Sequence, residues 1–286
     1  MTRTATRVSF LAIALCAALA GCSTLTPGIN NEKISAPIPY VTTPYPAVTA
    51  MLKLAGVTSG DTVYDLGSGD GRIVIAAARD FGAHAVGVEM DPALIRESER
   101  NAQEAGVESR VRFVKDDLFL VDFRDATVVT LFLLPGVNAM LLPKLLKDLK
   151  PGTRVVSYLH DMGEWEPDRT VRIETGPIYY WVIPADVGGM WALQISGPKS
   201  LLTLSFRQSF QKVSGGVRLH GKTLELSDAR IEGKRLSFVG SGTADGQRVR
   251  MEFSGSVENE HASGSVLIKE GLSAGSYEWT ALRSHK

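Results

Sequence analysis

The sequence predicts an α/β domain built on a mostly parallel sheet, followed by a small antiparallel all-β domain. Three observations predict it. From Thr62 to about Pro184, apolar strand-like runs alternate with helical patterns, the mark of a sheet covered by helices. After Pro184 the helical spacing disappears and turn signals recur at short intervals. With 286 residues, 44% hydrophobic and 22% charged, the chain is long enough for two domains, and its composition excludes disorder, collagen and coiled coil. Lysine plus arginine number 31 and aspartate plus glutamate 31, so no basic excess exists to neutralise a phosphate backbone, and nucleic acid is not an expected partner.

The first element is a leader. Arg3 and Arg7 precede an apolar run from Val8 to Ala20, broken only by Ser9, that ends in Leu19-Ala20-Gly21-Cys22. About 13 residues cannot cross a bilayer core that needs about 20, so the run reads as a secretory signal over residues 1–21, with an uncleaved anchor as the alternative. The small residues ahead of Cys22 resemble the lipobox of bacterial lipoproteins. That resemblance implies a diacylglycerol thioether on Cys22, cleavage before it and acylation of the new amine, palmitate being a usual acyl group. Ser23 stands where the resemblance would put aspartate for inner-membrane retention. The implied address is therefore the outer membrane facing the periplasm, or the cytosol if the signal is not processed. Cys16 leaves with the signal and Cys22 carries lipid, so the processed chain has no thiol for a disulfide, a zinc site or catalysis. Losing two arginines makes its charge 29 minus 31, or −2.

Residues 22–39, rich in Ser, Thr, Asn and Pro, read as a tether. At roughly 3.5 Å per residue it reaches up to about 60 Å. The expected strands of the domain at 40–184 are Thr62 to Leu66, Ala85 to Glu89, Val111 to Lys115, Thr127 to Leu133 and Arg154 to Leu159, with a late hairpin from Thr170 to Glu174 and Tyr179 to Ile183. Helices are expected over Arg72 to Phe81, over Pro92 to Ala105, and around Leu142, Leu145, Leu146 and Leu149, stopped by Lys150-Pro151-Gly152. Ala185-Asp186-Val187-Gly188-Gly189 reads as the domain boundary. Beyond it, at 185–286, Leu202, Leu204 and Phe206, and later Val249, Met251 and Phe253, alternate with polar neighbours as half-buried strands do. Turn signals such as Gly215-Gly216, Glu232-Gly233 and Asp245-Gly246 suit a sandwich or barrel of about seven or eight strands. Of the four tryptophans, Trp165, Trp181, Trp191 and Trp279, the pair Trp181 and Trp191 brackets the boundary and is expected to pack between the domains.

The chemistry sits in Asp65-Leu66-Gly67-Ser68-Gly69-Asp70-Gly71, directly after the first strand and before a helix. Gly67, Gly69 and Gly71 remove side chains where the backbone turns, so a small polar ligand can approach main-chain amides at the helix start. A dinucleotide fingerprint would put a third glycine where Arg72 stands, which disfavours a nicotinamide-dependent oxidoreductase. Asp65 and Asp70 suit a ligand with a cationic amino acid end. Twenty residues past Gly69, Glu89 closes the second strand, where an acid accepts both ribose hydroxyls. Asp117, after the third strand, is placed to accept an adenine amino group.

This set resembles the seven-strand, Rossmann-like class of S-adenosylmethionine-dependent methyltransferases over residues 40–184, about half the chain. The resemblance implies S-adenosyl-L-methionine as cofactor, held at Asp65, Gly67, Ser68, Gly69, Asp70, Gly71, Glu89, Asp117 and Phe132. A narrower likeness lies in Pro39-Tyr40-Val41-Thr42-Thr43-Pro44 and in Asp161-Met162-Gly163-Glu164-Trp165-Glu166-Pro167. These segments are similar to the small protein-lysine methyltransferases that modify membrane-embedded mitochondrial proteins. By that likeness Tyr40 and Thr43 close over the methionine end, Phe132 to Pro135 line an acceptor channel, and the acceptor is a protein lysine. Leu131-Phe132-Leu133-Leu134-Pro135 lacks the acid or asparagine with which small-amine and DNA methyltransferases hold the acceptor nitrogen.

Transfer from a sulfonium is an in-line displacement that needs positioning and desolvation. A lysine ammonium must first lose a proton, and His160, next to Asp161 after the fifth strand, is the candidate base. His84, His220, His261 and His285 are scattered and form no metal set. The chain is expected to work as a monomer. The rival reading is an envelope-anchored lipoprotein whose first domain is a non-catalytic scaffold, since S-adenosylmethionine is made in the cytosol and a lipoprotein domain faces away from it.

Overall fold

The computed structural model describes residues 41–197, 201–271 and 274–284; the expected leader, Cys22, the expected tether and Tyr40 lie outside the described residues. The first sheet contains β1 (Thr62–Leu66), β2 (His84–Glu89), β3 (Val111–Lys115), β4 (Val128–Leu131), β5 (Arg154–Tyr158), β6 (Arg169–Ile173) and β7 (Gly176–Val182). Its order is β3-β2-β1-β4-β5-β7-β6; the first five strands are parallel and β7 runs antiparallel to both neighbours. Every residue of β4, and all but the first of β1 and β5, is buried, as helices on both faces require. The order reverses between β1 and β4, so their carboxyl ends open a crevice.

Helix α2 (Arg72–Phe81) connects β1 to β2, α3 (Pro92–Glu104) connects β2 to β3, and α4 (Pro135–Asp148) connects β4 to β5. Glycines in the left-handed region bound α2, Gly71 at φ 80° and Gly82 at φ 71°, and Gly82 returns its N–H to the helix's last carbonyls. Asp91 caps α3 by accepting from Ala93 N–H at 2.7 Å, with Pro92 at the first helical position. A further helix, α1 (Tyr45–Leu54), precedes β1 where the sequence reading expected no helix. Its buried stripe, Ala47, Val48, Met51 and Leu52, has helical spacing, and Pro44 at the N-cap with Pro46 in the first turn suits a helix start. Strand β4 is shorter than expected at both ends. Strand β5 stops at Tyr158 because Leu159 takes φ 65°, which ends the extended run.

The second sheet is a closed up-and-down barrel: β8 (Gly189–Ile195), β9 (Leu201–Ser209), β10 (Lys212–Leu219), β11 (Lys222–Glu232), β12 (Arg235–Ala244), β13 (Gln247–Glu258), β14 (His261–Glu270) and β15 (Gly275–Arg283), with β15 pairing back to β8. Closure leaves no unpaired edge. The alternation read from the sequence is the inside-outside alternation: Leu202, Leu204, Phe206, Val249, Met251 and Phe253 are buried within. An aromatic row fills the centre, with ring separations of 5.4 Å for Phe206–Phe238, 4.5 Å for Phe238–Phe253 and 6.0 Å for Phe253–Trp279. Eight strands leave an interior about wide enough for such side chains. Trp191 belongs to this interior, its indole N–H donating to Val187 O at 2.9 Å, which corrects its expected place between the domains. The tryptophan that meets the barrel from the first domain is Trp165, packed between Trp181 and Phe210. No helix among the described residues is long and apolar enough to cross a membrane.

Candidate functional site

The carboxyl ends of β1, β2, β3 and β4 bring Gly67 to Gly71, Glu89, Asp117 and Phe132 to one edge of the sheet. Gly67, Gly69 and Gly71 have φ of 83°, 54° and 80°, a conformation that favours glycine. A Cβ on Gly67 would lie 2.9 Å from Leu133 Cδ2, and one on Gly71 would lie 2.8 Å from both Phe113 and Ser98. The loop thus folds tightly against its neighbours only because these positions carry no side chain.

Glu89 turns toward the loop. Its Oε2 accepts from Gly69 N–H at 3.0 Å, while Oε1 accepts from Met90 N–H at 2.8 Å and Asp91 N–H at 3.0 Å. Three donors fix the carboxylate, which has about four acceptor positions. The expectation of bare loop amides needs correction. Gly67 and Ser68 N–H both donate to Val88 O, Gly71 N–H donates to Ser68 O, and Gly69 N–H is taken by Glu89. Buried backbone donors find partners, so a ligand must compete with Glu89 for the Gly69 amide rather than meet an empty row.

The two loop acids have different surroundings. Asp65 is buried and accepts from Thr130 Oγ1 at 2.7 Å; burial pushes its carboxyl up to about 7, Thr130 opposes this, and Asp70 and Glu89 add to it. Asp70 binds the Arg72 guanidinium through both oxygens, at 2.9 Å from Nε and 2.5 Å from Nη2. Its carboxylate therefore ties the loop to the start of α2 through Arg72. Arg72 also donates to Thr43 O at 2.9 Å and lies 5.2 Å from the Tyr45 ring centre. Thr43, itself buried, is thereby held against the glycine loop. The sequence reading took Arg72 only as a missing glycine, although its position two residues after Asp70 was a signal for the pairing.

Asp117 opens a turn after β3, accepting from Phe119 N–H at 2.8 Å, and Asp116 N–H donates to Glu89 O at 3.3 Å, which ties this turn to the end of β2. Phe132 packs on Tyr158 at 5.0 Å and lies nearly parallel to the His160 ring at 6.5 Å. The turn bearing His160 is built from strained and buried parts: Leu159 at φ 65°, Ser157 Oγ donating to His160 O at 2.6 Å, and Asn138 Nδ2 within 3.2 Å of His160 O and 3.1 Å of Asp161 O. Asn138 is fully buried on α4, and nothing in the sequence distinguished it from an ordinary polar helix residue. The structure thus gathers the glycine loop, Thr43, Glu89, Asp117, Phe132 and His160 along one edge. Among the described residues no group of three or more His, Cys, Asp or Glu is placed to hold a metal ion.

A family model described as the ANTKMT methyltransferase domain matches residues 65–169. A protein-lysine N-methyltransferase of Saccharolobus islandicus is 50% identical over 151 residues, which are 51% of this chain and 94% of that protein. The mouse adenine nucleotide translocase lysine N-methyltransferase is 37% identical over 50% of this chain and 62% of its own length, so the chain spans under two thirds of that relative. A crystal structure of an RNA methyltransferase from Salinibacter ruber in complex with S-adenosyl-L-homocysteine is 55% identical, with a TM-score of 0.51, over 51% of this chain and 96% of that one. The edge described above fits such a cofactor: a positive-φ glycine loop faces the Glu89 carboxylate, with a buried acid behind it.

Proposed function

The chain belongs to the family of S-adenosylmethionine-dependent protein-lysine N-methyltransferases, and from that premise we propose that it methylates the ε-amino group of a lysine in a protein of the cell envelope. The observation that carries the reading is the 3.0 Å contact between Gly69 N–H and Glu89, because it brings the glycine loop and the expected ribose acid together at one edge of the sheet. When bound, S-adenosylmethionine supplies an electrophilic methyl group on a sulfonium. Glu89 would accept from the ribose and Asp117 from the adenine amino group, and Thr43, with Tyr40 by the family likeness, would cover the methionine end. Phe132 and the Leu133-Leu134-Pro135 segment form the acceptor wall, where exclusion of water favours the uncharged amine. His160, parallel to Phe132, takes the lysine proton.

The apolar leader and the sequence Leu19-Ala20-Gly21-Cys22 support a lipid anchor at Cys22 that holds a monomer on the periplasmic face of the outer membrane. Formal charge of zero supports a protein acceptor over RNA. The test is calorimetry with S-adenosylmethionine, followed by tritiated methyl transfer to envelope protein and to total RNA. Micromolar binding that Glu89→Ala weakens at least about tenfold, with label in lysine, is expected from loss of a charge-assisted hydrogen bond. Absence of binding, or label in RNA alone, would overturn the reading. Labelling with palmitate, abolished by Cys22→Ser, tests the anchor.

A further inference from the structure

Relatives matched over 94% and 96% of their own length account for only 51% of this chain, and the family model ends at residue 169, so the barrel has no counterpart in that match. Yet the barrel does not hang from the first domain by the connecting segment 183–188 alone. The β9–β10 turn inserts into the stretch that follows β5. Phe210, at φ 53°, stacks on Trp165 with ring centres 5.9 Å apart and an interplanar angle of 21°. Gln211, 4% exposed, accepts from Trp165 Nε1 at 2.9 Å and donates to Glu166 O at 2.7 Å. Lys212 pairs with Glu166 at 2.7 Å, and Arg230 pairs with the Asp168 carboxylate, which also accepts from Val182 N–H at 2.9 Å.

All these contacts fall on residues 165–168, just beyond the turn that carries His160 and Asp161. Leu159 at φ 65° costs energy, and the turn is held from the first domain by Ser157 and Asn138, by Leu159 N–H to Pro177 O and His160 N–H to Tyr158 O, both at 2.9 Å, and by Gly163 N–H to Asp161 Oδ1 at 3.1 Å; Trp165, bridged to Met162, is where the barrel reaches it. Trp165 is the largest side chain of the stretch and is fully buried, in contact with Phe210, Gln211 and Trp181. Without the barrel its indole would lose one stacking partner and its N–H acceptor, and the segment from His160 to Pro167 would lose its outer support.

We propose that the barrel is a positioning domain for the acceptor side of the site, with Phe210 and Gln211 as the positioning residues that hold the His160 turn through Trp165. The inference rests on the lysine-methyltransferase reading for what the turn does, though not for whether the barrel holds it.

The test uses the full chain with Gln211→Ala, Phe210→Ala and Gln211→Glu, the last keeping an acceptor for the indole. Amide hydrogen exchange of residues 159–168 is expected to quicken at least about tenfold in both alanine variants, and less in Gln211→Glu, while strands β12 to β14 and residues 65–75 keep wild-type protection. The ring resonance of His160, assigned with His160→Gln in histidine-labelled protein, is expected to move toward that of free histidine as stacking on Phe132 loosens. Affinity for S-adenosylhomocysteine is expected to stay within about twofold, because the glycine loop makes none of these contacts. Unchanged exchange and an unchanged His160 resonance in both alanine variants would overturn the proposal. So would loss of protection spread over the barrel, including a variant that fails to fold, unless the Gln211→Glu chain shows the localised change. A wild-type chain that binds no S-adenosylhomocysteine would instead refute the methyltransferase reading and leave the exchange result to decide the barrel's role.

Discussion

Replacing Asp65 with asparagine should make the protein more stable above neutral pH and remove a large part of its pH dependence. The carboxyl is buried, and its pKa is pushed up from an ordinary 3.8 to about 7. The folded state therefore keeps a proton that the unfolded chain releases between about pH 4 and 7. Stability is unaffected by this group below about pH 4, falls as pH rises through that window, and levels off above about 7. A shift of about 3 units at about 1.4 kcal/mol each amounts to roughly 4 kcal/mol at pH 8, against less than about 2 kcal/mol at pH 5. Asparagine at 65 still accepts from Thr130 Oγ1 and carries no charge at any pH. Urea unfolding of both chains at pH 5, 6, 7 and 8 checks this, with the gap between asparagine and wild type widening by about 2.5 kcal/mol from pH 5 to 8. The same burial links protonation to binding. A cationic ligand beside Asp65 draws its carboxyl down, so cofactor affinity should rise from pH 6 to 8 in the wild type and stay flat in Asp65→Asn. A constant gap across the pH series would refute the reasoning.

Three further outcomes follow from the same geometry. Gly67→Ala places a Cβ at φ 83° and 2.9 Å from Leu133 Cδ2, so stability should drop by about 1–3 kcal/mol in denaturant unfolding and calorimetric cofactor binding should disappear. Arg72→Lys keeps the charge but not the fork that bridges Asp70 and Thr43 O; limited proteolysis near Thr43 should quicken and cofactor affinity should fall several-fold, whereas unchanged cleavage would deny the clamp. Asp61→Ala leaves the Arg154 guanidinium and the Thr127 hydroxyl without their shared acceptor at the base of the sheet, and should cost about 2–4 kcal/mol in thermal or urea unfolding without altering cofactor affinity in the folded chain.

Particular residues show how far the site was legible. Gly67, Gly69 and Gly71 were readable because a backbone that needs positive φ leaves glycine in the sequence at fixed spacing. Glu89 was readable because it ends a strand of clear apolar pattern at a set distance from the loop. The pairing of Asp70 with Arg72 was not read, although the two stand two residues apart, because it forms through the local turn. Asn138 was invisible, since a buried asparagine on a helix differs from an exposed one only in what the fold places around it. Helix α1 was not among the expected elements, since its stripe is short and its burial comes from packing on the sheet.

The chain order of apolar runs, glycines and acids alone determined a parallel sheet with a ligand loop at its carboxyl edge, then an alternating β domain. These features depend on local periodicity and backbone conformation, which travel with the sequence. Only the tertiary structure decided that the second domain closes into a barrel, that Trp191 lies inside it, and that Phe210 and Gln211 press on Trp165 beside the His160 turn. Those outcomes depend on which surfaces meet across 45 or more residues of chain, and contact between distant segments leaves no period to read.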